Sequence, residues 1–245
     1  MFQPIIDSRP LVASEKVTTG VIDFHVPTTA TPGQGHAAPL LDRMSANTDG
    51  LTLPAVIMVV GRQLLAFRFL AGDDAMFVHD DLARQFAIKP WQLHALAHDD
   101  GAQWQDTLSR WQKKLLQQVL PQQQPSHLPD AEHLPLGATN NNDAADSVNI
   151  RLIGSDFQQR VWRALLTIPF ASTWSYRDMA KAVNSHHRAV GSGALKRNPI
   201  CFFIPCHRVI ASNGSLGGYG GNGDNGRAIK QQLLQWERSL RPSLL

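Results

Sequence analysis

Residues 200 to 210 read Ile200-Cys201-Phe202-Phe203-Ile204-Pro205-Cys206-His207-Arg208-Val209-Ile210 (ICFFIPCHRVI). The apolar run Ile200 to Ile204 has strand character, Pro205 ends it, and Val209-Ile210 is a second short apolar pair. A thiol is thereby set at a strand terminus beside an imidazole and a guanidinium. Such neighbours lower a thiol's pKa, and the thiolate is the nucleophilic form. Cys206 is therefore the candidate nucleophile, whereas Cys201, inside the run, reads as a buried inert thiol. Cysteine and histidine together also suit an acyl-cleaving hydrolase. A zinc site drawn from Cys201, Cys206 and nearby histidines would use common ligands, but the spacing matches no paired-ligand pattern, so no metal is expected.

Working upstream, Asn198-Pro199 closes a segment, His186 to Lys196, that can form a helix. It carries the small residues Ala189, Gly191, Ser192, Gly193 and Ala194 and the cations Arg188, Lys196 and Arg197. Two glycines weaken a helix, so their presence points to close backbone approach. Before it, Ser175-Tyr176-Arg177-Asp178 opens a short helix that runs to about Val183, and Asn184-Ser185 breaks it. Two short helices joined by a polar turn suggest a helix-turn-helix, although simple helical packing leaves the same pattern. Further up, Ser155-Asp156-Phe157-Gln158 has the S-x-x-Q form of a capping box, followed by the stripe Phe157, Val161, Trp162, Leu165 and Leu166 and closed by Pro169.

Downstream, the loop Asn213 to Gly226 (NGSLGGYGGNGDNG) leads to a helix, Arg227 to Leu240, with Ile229, Leu233, Leu234 and Leu240 on its apolar side. Gly221, Gly223 and Gly226 spell G-x-G-x-x-G. No strand leads into them and no acidic residue follows in a βαβ unit, so a dinucleotide site is rejected.

The first part of the chain is different in kind. Leu53 to Val60 and Gln63 to Leu70, separated by Gly61-Arg62, predict two strands of a hairpin. Trp104, Leu108, Trp111, Leu115 and Val119 recur at helical spacing, with the tryptophans serving packing. Residues 1–50 carry no assignable motif. The Pro-, Gln- and Asn-rich stretch 121–148 reads as a flexible linker between an α/β domain, 1–120, and a second domain, 149–245.

The 245 residues hold 43% hydrophobic and 18% charged residues, the composition of a globular protein. Two cysteines exclude a disulfide framework, and the N-terminus lacks a secretory pattern, so a cytoplasmic protein without a membrane segment is expected. The net charge of +3 hides an asymmetry. Residues 1–150 hold 10 Lys+Arg against 16 Asp+Glu, and residues 151–245 hold 13 against 4. A basic half of this kind is the footprint of a polyanion partner, most often nucleic acid.

Ile204-Pro205-Cys206-His207-Arg208-Val209 resembles the active-site signature of the O6-alkylguanine-DNA alkyltransferases (methylated-DNA–protein-cysteine methyltransferases). The likeness runs from Gly154 to Glu237 through FQQRVWRAL (157–165), Ile168-Pro169, SYRDMA (175–180), RAVG (188–191), RNP (197–199) and GGYGG (217–221). It implies direct-reversal DNA repair: minor-groove entry, flipping of the damaged guanine, and irreversible single-turnover transfer of the O6-alkyl group to Cys206, with O4-alkylthymine as a further lesion. The bacterial cytoplasm or nucleoid is the implied location, double-stranded DNA carrying O6-alkylguanine the partner, a monomer the acting form, and no cofactor is needed.

By the same resemblance His207 helps deprotonate Cys206 and Glu237 orients His207. Tyr176 donates a proton to the departing base and touches the flipped nucleotide's phosphate. Arg188 fills the gap in the stack, with Ala189, Gly191, Ser192 and Arg197 on the DNA-binding side. Asn198, Pro205, Arg208 and Val209 support the active-site turn, and Tyr219, Gly220 and Gly221 wall the base pocket. The implied fold is α/β in the α+β sense: a small ribonuclease-H-like N-terminal domain and a mostly helical C-terminal domain holding the helix-turn-helix and the reactive cysteine. A related class binds the same lesion without chemistry, but it replaces the cysteine.

The chain departs from the family pattern in two places. The spacing from Arg188 to Asn198 is one residue longer, as though a Gly were added in GSGAL, and the turn before Arg188 is shorter. Asp224-Asn225 looks like a small insertion. A zinc-domain regulator design needs four cysteines, more than this chain has.

Overall fold

Strand-forming residues organise the first part of the chain into β1 (Ile5–Asp7), β2 (Val17–Pro27), β3 (Ala46–Asn47), β4 (Gly50–Val60) and β5 (Gln63–Phe69). The computed structural model describes residues 4–27, 46–47, 50–119, 149–220 and 223–240, so the linker read at 121–148 and the pocket residue Gly221 lie outside the described residues. Apolar residues alternate along β4: Leu53, Ala55, Ile57 and Val59 pack into one core, Val56 and Met58 into the other. A strand that buries both faces must be covered on both sides. The expected hairpin is present, with β4 and β5 antiparallel around Gly61, whose φ of +55° suits a residue without Cβ.

Residues without a readable motif supply the longest pairing. β2 runs antiparallel to β4 from Thr18↔Val59 to Pro27↔Gly50. The helix α1 (Ala75–Gln85) packs Val78 and Leu82 on one face of the sheet. The strand β6 (Leu93–Ala95) joins the edge beside β2, and α2 (His98–Val119) lays Leu108 and Trp111 on the other face. The short β7 (Asn149–Arg151) pairs parallel with both β1 and β5, giving the order β1-β7-β5-β4-β2-β6 with β3 on β4. The sheet thus takes chain from both sides of residues 120–148.

The remainder is mostly helical: α3 (Asp156–Leu165), β8 (Trp174–Ser175), α4 (Tyr176–Ala182), β9 (Val209–Ile210) and α5 (Gly223–Ser239). The capping box forms as read. Ser155 Oγ accepts from the Gln158 amide, and Gln158 Oε1 accepts from the Ser155 amide. Ser175 and Asp178 repeat the device at α4. The mixed α/β class matches the sequence reading.

Two local expectations change. Ile200 to Ile204 is not a strand. Among the described residues its ladder contacts are isolated bridges, Phe67↔Ile200 and Cys201↔Ile204, around a tight turn with Phe202 at φ +75°. Apolar residues fill this turn because it is buried among aromatics: Phe203 stacks on Trp111 at 4.4 Å, and Phe202 meets Phe24 edge-on at 5.1 Å. Nor is the segment after Asn184 an α-helix. It forms a π-helical turn, Ala189–Ala194, and a 3-10 turn, Leu195–Arg197. A π-turn is the form an α-helix takes when it absorbs one extra residue.

Candidate active site

Four contacts fix the turn that carries Cys206. The Phe67 amide of β5 donates to the Pro199 carbonyl at 2.8 Å, and the Cys201 amide donates to the Phe67 carbonyl at 2.9 Å. Asn198 Nδ2 donates to the Ile204 carbonyl and Asn198 Oδ1 accepts from the Ile200 amide. The first two contacts come from the N-terminal sheet, for which sequence reading finds no role. Asn198, only 1% exposed, makes the last two of these contacts.

After Pro205, residues Cys206–Arg208 form a single 3-10 turn that leads into β9. β9 pairs in parallel with β8, Trp174↔Val209 and Ser175↔Ile210. In that parallel register Tyr176 follows β8 as Ala211 follows β9, and Tyr176 and Cys206 face one shared space. A cavity of about 320 Å³ opens there, lined by Tyr176, Gly191, Leu195, Lys196, Cys206, Gly218, Tyr219, Gly220 and Lys230. Gly217 packs so closely on Tyr176 that a Cβ would lie 2.7 Å from its hydroxyl, and its φ is +66°.

Behind Cys206 lies a buried charge network. Glu237 of α5 accepts from His207 Nε2 at 2.8 Å and from Arg208 Nε and Nη2, while Arg208 Nη1 donates to the Ile168 carbonyl. Glu237 is 1% exposed, which rules out an ordinary surface carboxylate. Burial pushes its pKa up, but Arg208 and His207 outweigh that and hold it at about 2. His207 is shifted down, because burial disfavours imidazolium more than Glu237 favours it. At neutral pH the pair is therefore carboxylate and neutral imidazole. A carboxylate only accepts, so Nε2 carries the ring proton and Nδ1 keeps the lone pair. Nδ1 is buried with no hydrogen-bond partner among the described residues.

The source of thiol activation differs from the sequence reading. Arg208 is spent on Glu237 and Ile168. What pulls Cys206 below the ordinary thiol range is hydrogen bonding with Cys201 first, then Asn198 and the charge of Lys230, against burial that pushes it up. Cys201 moves the opposite way, raised by the same Cys206 contact and by burial. Cys201 is buried, as expected, but it is not electrically inert. Its thiol also lies 3.5 Å from the Asn198 carbonyl.

Lys230 is the functional candidate that motif reading misses. It is 1% exposed, donates to the Val209 and Leu216 carbonyls, and stands 6.0 Å from the centre of the Tyr176 ring. Burial lowers its pKa to about 8. A lysine on the same face of α5 as Glu237 was the available signal: Lys230 lies one residue after Ile229 and seven before Glu237.

The remaining candidates fall into two groups. Tyr219 is buried on the pocket wall, 6.2 Å ring to ring from His207, and Gly220 lines the same cavity. Pro205 caps the 3-10 turn, and Val209 holds Lys230 through its carbonyl. Arg188, Ser192 and Arg197 are exposed, and Ala189 and Gly191 half-buried. Among the described residues no group of three or more His, Cys, Asp or Glu could hold a metal ion, and no helix is long and apolar enough to cross a membrane.

Comparison with known proteins bears on the C-terminal part. Residues 156–239 match the family model described as 6-O-methylguanine DNA methyltransferase, DNA binding domain. A Mycobacterium bovis methylated-DNA–protein-cysteine methyltransferase is 48% identical over 98 residues, covering 39% of this chain and 56% of that protein. A constitutive Bacillus subtilis methyltransferase of the same name is 49% identical over 87 residues, covering 35% of this chain and 50% of that protein. The chain thus spans about half the length of the curated relatives it matches. Mycobacterium tuberculosis OGT, solved in complex with DNA, is 26% identical with a TM-score of 0.48, covering 78% of this chain and 89% of that one. Over residues 156–239 the chain is thus similar to the DNA-binding domain of the 6-O-methylguanine DNA methyltransferase family.

Proposed function

We propose that this chain reverses O6-alkylation of guanine in duplex DNA by taking the alkyl group onto Cys206, once per molecule. The observation that carries the reading is the orientation of His207: Glu237 fixes its proton on Nε2, so the basic Nδ1 is the nitrogen free to take the Cys206 proton, directly or through solvent. Sulfur then attacks the alkyl carbon, the carbon–oxygen bond breaks, and the base leaves as guanine after gaining a proton. Tyr176, kept protonated by burial, is the donor on the pocket wall. A thioether offers no good leaving group, so the thiol is not regenerated.

The substrate enters with its base flipped from the stack, since Cys206 is buried in the cavity and out of reach of a paired base. α4 and the π-turn form the helix-turn-helix that approaches the minor groove, and Arg188 takes the place of the flipped base. The excess of cations after residue 150 supplies phosphate attraction. The sheet domain, ribonuclease-H-like in this reading, serves as the brace for the turn at Cys206. The protein acts as a monomer in the cytoplasm.

The test is to incubate the protein with a duplex bearing one O6-methylguanine, then record intact mass and map the modified peptide, with Cys206→Ala as control. One methyl on Cys206, a restored guanine and no second turnover are expected. Tight lesion binding without mass gain would replace this reading with that of a non-catalytic lesion binder.

A further inference from the structure

Among the described residues, two lysines and no carboxylate wall the cavity in front of Cys206. Lys230 is engaged by the Val209 and Leu216 carbonyls. Lys196 is in a different situation: it is exposed and, among the described residues, pairs with no acid. Beside it the wall is Leu195, apolar and buried, and Gly191, which keeps the Tyr176 side open.

The π-turn explains why Lys196 lies at this wall. Arg188 starts the wide turn, and Asn198, gripped by Ile200 and Ile204, fixes the end of the segment. The wide turn is held from behind by α3: Gln158 Nε2 donates to the Gly193 carbonyl and Trp162 Nε1 to the Ala194 carbonyl. The 3-10 turn that follows brings Leu195 and Lys196 to the cavity.

An ammonium at this wall has a chemical consequence for the alkyl group. A thiolate attacking a carbon that bears a carboxylate brings two anions together, and a nearby cation offsets that repulsion. Exposed charges are screened by water, but DNA seated over the pocket removes much of it. We propose that this pocket accepts guanines whose O6 substituent ends in a carboxylate, carboxymethyl being the smallest, and that Lys196 is the specificity-determining residue. The inference rests on the alkyl-transfer reading above. The sulfur–carbon bond forms as the O6–carbon bond breaks, the thiol proton leaves through His207, the base regains one proton, and Cys206 ends as its S-carboxymethyl thioether.

The experiment compares single-turnover rates of the full chain on two duplexes, one with O6-methylguanine and one with O6-carboxymethylguanine, read by intact mass. Wild type is expected to take up both groups. Lys196→Gln is expected to lower the ratio of carboxymethyl to methyl transfer about fivefold, and Lys196→Arg to restore it. Because Lys196 is exposed, neither variant threatens folding. Equal losses on both lesions would mark Lys196 as a phosphate contact and overturn the proposal, as would methyl uptake by wild type without carboxymethyl uptake. Failure on both lesions would instead overturn the alkyl-transfer reading, and the proposal with it.

Discussion

The turn that carries Cys206 and the turn that carries Arg188 belong to one stretch of chain and are built to opposite plans. At Cys206 the buried charges have their partners inside the protein: Glu237 answers His207 and Arg208, and Asn198 and Phe67 answer the backbone. From Asn184 to Arg188 every residue is exposed, and among the described residues no acid pairs with the Arg188 guanidinium. The first region is preorganised for chemistry, so that no reorganisation is needed when the substrate arrives. The second holds its charge in water, and in the proposed function exchanges that water for phosphate. The difference teaches where mutations separate stability from binding.

The sharpest break of that comparison is Cys206→Ala, expected to abolish alkyl uptake while leaving lesion binding in place, measured by intact mass and by duplex titration. Next comes Glu237→Gln. It leaves the Arg208 charge buried without its counter-ion and should cost about 3 kcal/mol in denaturant unfolding, with loss of transfer because His207 is no longer oriented. Equal stability of the two proteins would show that the network is not the keystone it is taken for here.

Acid should attack the same network. The Glu237 pKa is depressed to about 2 from its ordinary 4.5, so the unfolded chain binds the proton more readily. Its contribution is present above pH 4.5 and is lost as pH falls towards 2, at most about 3 kcal/mol by linkage. Urea midpoints across that window check it, with Glu237→Gln showing a flatter profile. Arg188→Ala tests the other region: affinity for duplex should fall about tenfold, with stability changed by no more than about 0.5 kcal/mol. The smallest effect is expected of Gly191→Ala, whose Cβ would stand 3.4 Å from the Tyr176 ring. A loss of transfer of about twofold to threefold, without loss of binding, would place the π-turn against the reacting groups.

Much of this was legible in the residues. Ser155 and Gln158 announce their capping box because the contacts span three residues, and the β4–β5 hairpin shows in a glycine between two apolar runs. Cys206-His207 and the basic half point to a nucleophile and a polyanion. The π-turn was half visible, as an extra residue between Arg188 and Asn198 whose accommodation the spacing alone does not reveal. Arg208 misled, because adjacency to a cysteine in sequence says nothing of where a long side chain ends. β2 was illegible for a related reason: its partner β4 is fixed by a pairing that no local pattern encodes.

By itself, then, the sequence determined which residues can react and which short elements they start or end, since capping, chain reversal and thiol chemistry depend on near neighbours. Only the tertiary structure decided that Glu237 meets His207 from 30 positions away, that Phe67 of the sheet pins the turn at Cys201, and that Cys201 and Lys230 rather than Arg208 tune the nucleophile. Those are long-range encounters in a low-dielectric interior, where the sign and size of each effect follow from distance and burial.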